Sequence, residues 1–128
     1  MGASYGLWLG KAGIVTKNVT IENVTVLGGI NVILATNVKL VNCDVNADVE
    51  KDSNDYYAVW ADHGAEVIVE SGKYNAAEGK PAVNAAELSK VTVKGGEFSS
   101  NVTEYCEEGK HTAPDFGRLV KIFKKEYT

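Results

Sequence analysis

A chain of 128 residues with a formal net charge of -4 fits one domain and offers no broad basic surface for nucleic acid; Arg118 is its single arginine. Hydrophobic residues make up 45%, enough for a core without disulfide staples. No apolar run approaches the roughly 20 residues of a membrane span.

The opening MGASYG lacks the charged and apolar regions of a secretory signal. It also places Gly6 where the myristoylation pattern needs Ser or Thr. Beyond it, four similar stretches follow one another: YGLWLG from Tyr5, INVILA from Ile30, YAVWAD from Tyr57 and PAVNAA from Pro81, roughly 24 to 27 residues apart. Each precedes a second unit: VTIENVTV from Val19, VKLVNCDV from Val38, VIVESGKY from Val67 and VTVKGGEF from Val91. β-branched residues alternate with polar ones in the second units, the period of half-buried strands.

Aligned, the repeats give columns. Leu7, Val32, Val59 and Val83 form one, and Leu9, Leu34, Ala61 and Ala85 the next. Val19, Val38, Val67, Val91 and then Ile21, Leu40, Val69, Val93 follow. In the last pair, Val24, Cys43, Gly72 and Gly96 shrink as Val26, Val45, Tyr74 and Phe98 grow, a trade of volume that a close-packed interior requires. Asn23, Asn42, Ser71 and Gly95 align at a corner, where Asn side chains bond backbone and one another. The expected fold is all-β: a right-handed parallel β-helix of about four coils, since parallel crossovers are right-handed. Residues 1–128 form one domain, with coils over 5–100 and a cap over 101–128.

The GGEF run at 95–98 matches most of the signature of cyclic-dinucleotide cyclases. In the repeat it is only a corner (Gly95), a small inward position (Gly96), an outward Glu97 and an inward Phe98. Ser99 or Ser100 then caps an expected short helix at 101–108 that Gly109 ends, and RLVKIFK at 118–124 reads as a strand. Helix and strand together would cover the open end of the coils, whose edges otherwise pair with other chains. The edge near Tyr5 has no such cover, which suggests a preceding coil or self-association.

The stretch VKGGEFSSNVTEYCEEGK resembles the end of β-helix segments in large surface proteins of Gram-positive gut bacteria, through Gly95, Gly96, Phe98, Ser99, Ser100, Tyr105 and Gly109. Similar β-helices occur in phage tail and virion proteins. The resemblance implies this fold and an extracellular, cell-surface or virion setting; it implies no catalytic residues. In that family the chain ends in a short strand after the glycine, whereas FGRLVKIFKKEYT is longer and more basic.

Candidate functional residues are few. Trp8, Ile33, Trp60 and Asn84 form an expected outward column that could stack on sugar rings, form a subunit interface, or lie under the C-terminal LVKIFK segment. The acidic loop at 44–55, with Asp44, Asp48, Glu50, Asp52 and Asp55, is a weak Ca²⁺ candidate that departs from the EF-hand pattern and reads better as a solvated loop. His63 beside Asp62 reads as a surface turn with side chains pointing apart. Cys43 and Cys106 are expected as free thiols, too far apart to bridge. Asn18, Asn23 and Asn101 begin glycosylation-type triplets, which the bacterial or phage resemblance discounts.

Outward charges alternate in sign from coil to coil, as with Glu70 and Lys94, and as with Asp44, Lys73 and Glu97. Such pairing stabilises neighbouring strands by about 0.2–1 kcal/mol each and differs from the clustered carboxylates of sugar-cleaving β-helix enzymes. The expected function is a non-catalytic structural or binding module with no cofactor, serving adhesion, display or assembly. The alternatives are a carbohydrate-binding module and a remnant of a polysaccharide-degrading enzyme. Nucleic acid and membrane are not expected as partners.

Overall fold

The computed structural model describes residues 5–11, 13–48, 57–107, 110–114 and 120–124. The first coil holds β1 (Tyr5–Leu9), β2 (Thr16–Glu22) and β3 (Thr25–Leu27). The second holds β4 (Gly29–Ile33), β5 (Ala35–Val41) and β6 (Cys43–Asn46). The third holds β7 (Val59–Asp62), β8 (Glu66–Val69) and β9 (Gly72–Asn75). The fourth holds β10 (Val83–Ala85), β11 (Lys90–Val93) and β12 (Glu97–Phe98). After them come β13 (Lys110–Pro114) and β14 (Val120–Lys124).

Each strand pairs in parallel with its equivalent in the next coil, giving sheets in the orders β1-β4-β7-β10, β2-β5-β8-β11 and β3-β6-β9-β12. The chain is therefore an all-β solenoid of stacked parallel sheets. Its core is the continuous stack of inward aliphatic side chains. Val38, Leu40, Val59, Val67, Val69 and Val93 are all at most 1% exposed. Strands this short are stable because each stacks on the equivalent strand of the neighbouring coil.

Corners are made by residues that tolerate left-handed backbone. Asn18, Asn23, Asn37 and Asn42 all have φ between 49° and 60°, the region asparagine enters most readily after glycine. Their amides form rungs between coils. Asn37 Nδ2 donates to Asn18 Oδ1 at 2.8 Å, and Asn42 Nδ2 donates to Asn23 Oδ1 at 2.9 Å. In the third sheet Val26, Val45, Tyr74 and Phe98 are in register, and the Tyr74 and Phe98 rings stack with centroids 5.2 Å apart. A Cβ added to Gly96 would lie 3.3 Å from Phe98 Cε2, so the small position does make room for the large one. Val24, at the Cys43 position of the first coil, is 36% exposed.

Three expectations need correction. In the first sheet the second coil is displaced by two residues from the sequence alignment. Leu7 pairs with Ile30, and Ile30 with Val59; Leu9 pairs with Val32, and Val32 with Ala61. Leu34 is instead a corner residue with φ 62°.

The expected helix at 101–108 reduces to a single 3-10 turn, Thr103–Tyr105, and Gly109 lies outside the described residues. Ser99 and Ser100 do not cap a helix; their hydroxyls accept backbone N–H bonds from Ala76 (2.9 Å) and Ala82 (2.8 Å). The chain after the turn joins the solenoid, with Cys106 bridging Val93 in parallel and Glu107 N donating to Val93 O.

The tail strand occupies the edge of the third sheet. β14 pairs antiparallel with β12, Phe98 opposite Val120, and β13 pairs antiparallel with β14. It does not lie over the tryptophan-bearing first sheet. Arg118 is outside the described residues.

Candidate functional site

The outward column of the first sheet runs Trp8, Asn31, Trp60, Asn84 through the paired coils. Ile33, the expected second member, lies beside Asp62 instead. Indole and amide thus alternate along the solenoid axis. Two coils separate the tryptophans, about 10 Å at the strand spacing of a sheet. Trp8 is 50% exposed, and its Nε1 donates to Gly10 O at 2.9 Å. Gly10 is required there, because a Cβ would overlap Ile33 O. Asn31 is only 7% exposed. Trp60 is half-buried, meets the Tyr57 ring edge-on at 5.5 Å, and has a buried Nε1 without a partner. Buried donors and acceptors left without partners cost about 1–3 kcal/mol each.

An open groove of about 680 Å³ runs along the third sheet. Asp44, Asp48 and Glu78 line it together with Lys73, Lys80 and the amides of Asn46 and Asn75. Asp44 stands directly beside Lys73 on the neighbouring strand, and Asn75 Nδ2 donates to Asn46 Oδ1 at 2.9 Å. Acidic and basic groups are interleaved here rather than gathered by sign. Of the acidic loop, Asp44 and Asp48 belong to this groove, while Glu50, Asp52 and Asp55 lie outside the described residues.

A third constellation sits where two corners stack, after β7 and after β10. The expectation that Asp62 and His63 point apart does not hold. Left-handed backbone at His63 (φ 55°) turns the ring back, so Nδ1 lies 3.3 Å from Asp62 Oδ2. Nε2 lies 3.4 Å from Glu87 Oε2 of the next coil. Residues 63 and 87 are one repeat apart, so the stacking of coils that the repeat implies is the signal in the sequence that brings them together. Ser89 supports the corner. Its Oγ accepts from both Gly64 N and Ala65 N at 3.0 Å, a structural use of the hydroxyl.

Other charged outward groups pair across coils, as Lys94 with Glu70 at 3.6 Å. Near the cap Lys110 Nζ reaches Glu107 at 2.8 Å, and that hydrogen bond holds the Glu107 carboxyl below its usual range. Cys43 and Cys106 are both free thiols. Burial pushes both thiols up, and Cys43 Sγ donates weakly to Ile21 O at 3.4 Å, so Cys43 acts as a small core residue. Among the described residues no helix is long and apolar enough to cross a membrane. Comparison with protein-family models, curated proteins and solved structures finds no match to this chain.

Proposed function

We propose that the chain is a non-catalytic, right-handed β-helix module of a cell-surface or virion protein, and that it works by assembly and display. The observation that carries this reading is the difference between its two ends. At one end β14 fills the edge of β12, and Cys106 and Glu107 fasten onto Val93. At the other, β1, β2 and β3 are the terminal strands of their sheet orders. Inward residues Leu7, Leu9, Val19 and Ile21 are only half-buried there, and Ile14, Val15 and Leu27 are 56%, 85% and 67% exposed. Exposed apolar side chains beside strand edges that are unpaired among the described residues favour docking of another β-coil. Analytical ultracentrifugation tests this: self-association is expected at micromolar to submillimolar concentration and should weaken in Val15→Asp/Leu27→Asp. A monomer over that whole range, insensitive to the double variant, would remove the assembly reading.

A second reading, carbohydrate binding, is favoured by the Trp8–Asn31–Trp60–Asn84 column. Indole faces stack on sugar rings while amides and indole N–H groups bond hydroxyls. Trp8 is 50% exposed and Trp60 half-buried, so both indoles offer surface for stacking. Glycan-array binding that disappears in Trp60→Ala would support this; binding by neither protein would discard it.

A further inference from the structure

The corner of Asp62, His63 and Glu87 is the one group of described metal-ligating side chains whose ligand atoms all lie within 4.8 Å of one another. Two features separate it from an ordinary solvated acidic turn. The first is the imidazole, which faces a carboxylate with each nitrogen. A neutral imidazole carries one N–H. With Nε2–H donated to Glu87, Nδ1 and Asp62 Oδ2 would be two donor atoms 3.3 Å apart, a spacing one metal ion can bridge.

The second feature is charge. Two carboxylates elsewhere on this surface pair with lysines, Glu70 with Lys94 and Glu107 with Lys110. Among the described residues no lysine or arginine pairs with Asp62 or Glu87; the side chain between them is His63.

We propose that this corner binds one divalent transition-metal ion, of the class of Zn²⁺, Co²⁺ or Ni²⁺. His63 Nδ1 and Asp62 Oδ2 are the ligands, and water completes the shell. Metal–nitrogen and metal–oxygen bonds of about 2.0–2.2 Å span a ligand pair at 3.3 Å with an ordinary bite angle. Imidazole selects such metals over Mg²⁺ or Ca²⁺. Glu87 is the positioning residue: it accepts the Nε2–H from the next coil and so fixes the tautomer that leaves Nδ1 free, the carboxylate–histidine–metal arrangement. Because Glu87 comes from a different coil, the site is complete only when the third and fourth coils are stacked. Two protein ligands give a modest affinity.

The test is titration of the full chain with Co²⁺, followed by visible absorption, and with Zn²⁺, followed by calorimetry. Both cysteines are alkylated first where accessible, and circular dichroism confirms that every variant is folded. One equivalent of saturable binding is expected, absent in His63→Ala and unchanged in His111→Ala, the only other histidine. Glu87→Ala should weaken binding by about 10- to 100-fold. Glu87→Gln, which keeps an acceptor for Nε2–H, should weaken it less. No saturable binding up to millimolar metal, or binding retained in folded His63→Ala, overturns the proposal. Equal affinity in wild type and Glu87→Ala overturns the positioning role.

Discussion

Replacing Gly72 by alanine separates steric crowding from backbone strain in this fold. Gly72 opens β9 with φ 122°, and an added Cβ would lie 2.3 Å from Cys43 O, 2.7 Å from Cys43 N and 3.0 Å from Tyr74 Oη. The Cys43 atoms are backbone of the adjacent coil, in direct register with Gly72, so they cannot swing away as a side chain would. An L-residue held in that conformation costs about 1–3 kcal/mol, and overpacking adds about 1–3 kcal/mol. The sum is about 2–6 kcal/mol, a large part of the stability of a domain this size. Gly79 is the control. It too has positive φ (80°), but an added Cβ meets nothing within 4 Å, so Gly79→Ala should cost only the backbone component, about 1–2 kcal/mol. Urea unfolding followed by circular dichroism measures both, with stability read from midpoints at constant slope. If Gly72→Ala proved no more destabilising than Gly79→Ala, the close approach of β9 to β6 would be wrong.

Burial raises Tyr74 far above the usual phenol range, with its hydroxyl donating to Ser71 O at 2.6 Å. Its folded pKa exceeds the unfolded value of about 10, so its contribution is complete below pH 10 and falls as pH rises further, when only the unfolded chain ionises. Spectrophotometric titration should therefore show one tyrosine ionising only with unfolding, accompanied by a loss of stability above pH 10. The two thiols should differ in rate. Cys43, 1% exposed, should react with a thiol reagent only on unfolding, whereas half-buried Cys106 should react in the folded protein; unreduced intact mass should show no disulfide. At the Asn42 corner, with φ 49°, Asn42→Val should lose about 1–2 kcal/mol by urea unfolding, and Asn42→Gly should lose less, because glycine accepts the backbone while forfeiting only the rung to Asn23.

Legibility differed between the sheets for a physical reason. In the second and third sheets, strands such as VTIE and VKLV alternate apolar and polar residues, so inward positions could be read and aligned directly. The first-sheet stretch GINVIL is apolar at most positions, and a slip of two residues leaves every side chain on the same face. Alternation therefore could not reveal that Ile30 and Val32, rather than Val32 and Leu34, complete the columns. That slip put Ile33 in place of Asn31 in the outward column and hid its alternation of indole and amide. The missing helix has a different origin: Ser99 and Ser100 carry the right side chains for a cap but bond Ala76 and Ala82 of the neighbouring coil. Such long-range competition is invisible to local propensity. Glu87 was missed because its partner His63 is remote along the chain and close only through stacking.

The β14 strand has a consequence for how this molecule could be lengthened. By running against the direction of β12, it substitutes an antiparallel ladder for the parallel one and ends the repeat in that sheet. Extra storeys appended beyond residue 100 would have to displace it. A duplicated third storey, spliced between the existing third and fourth, would leave that stopper in place and simply raise the column by one step.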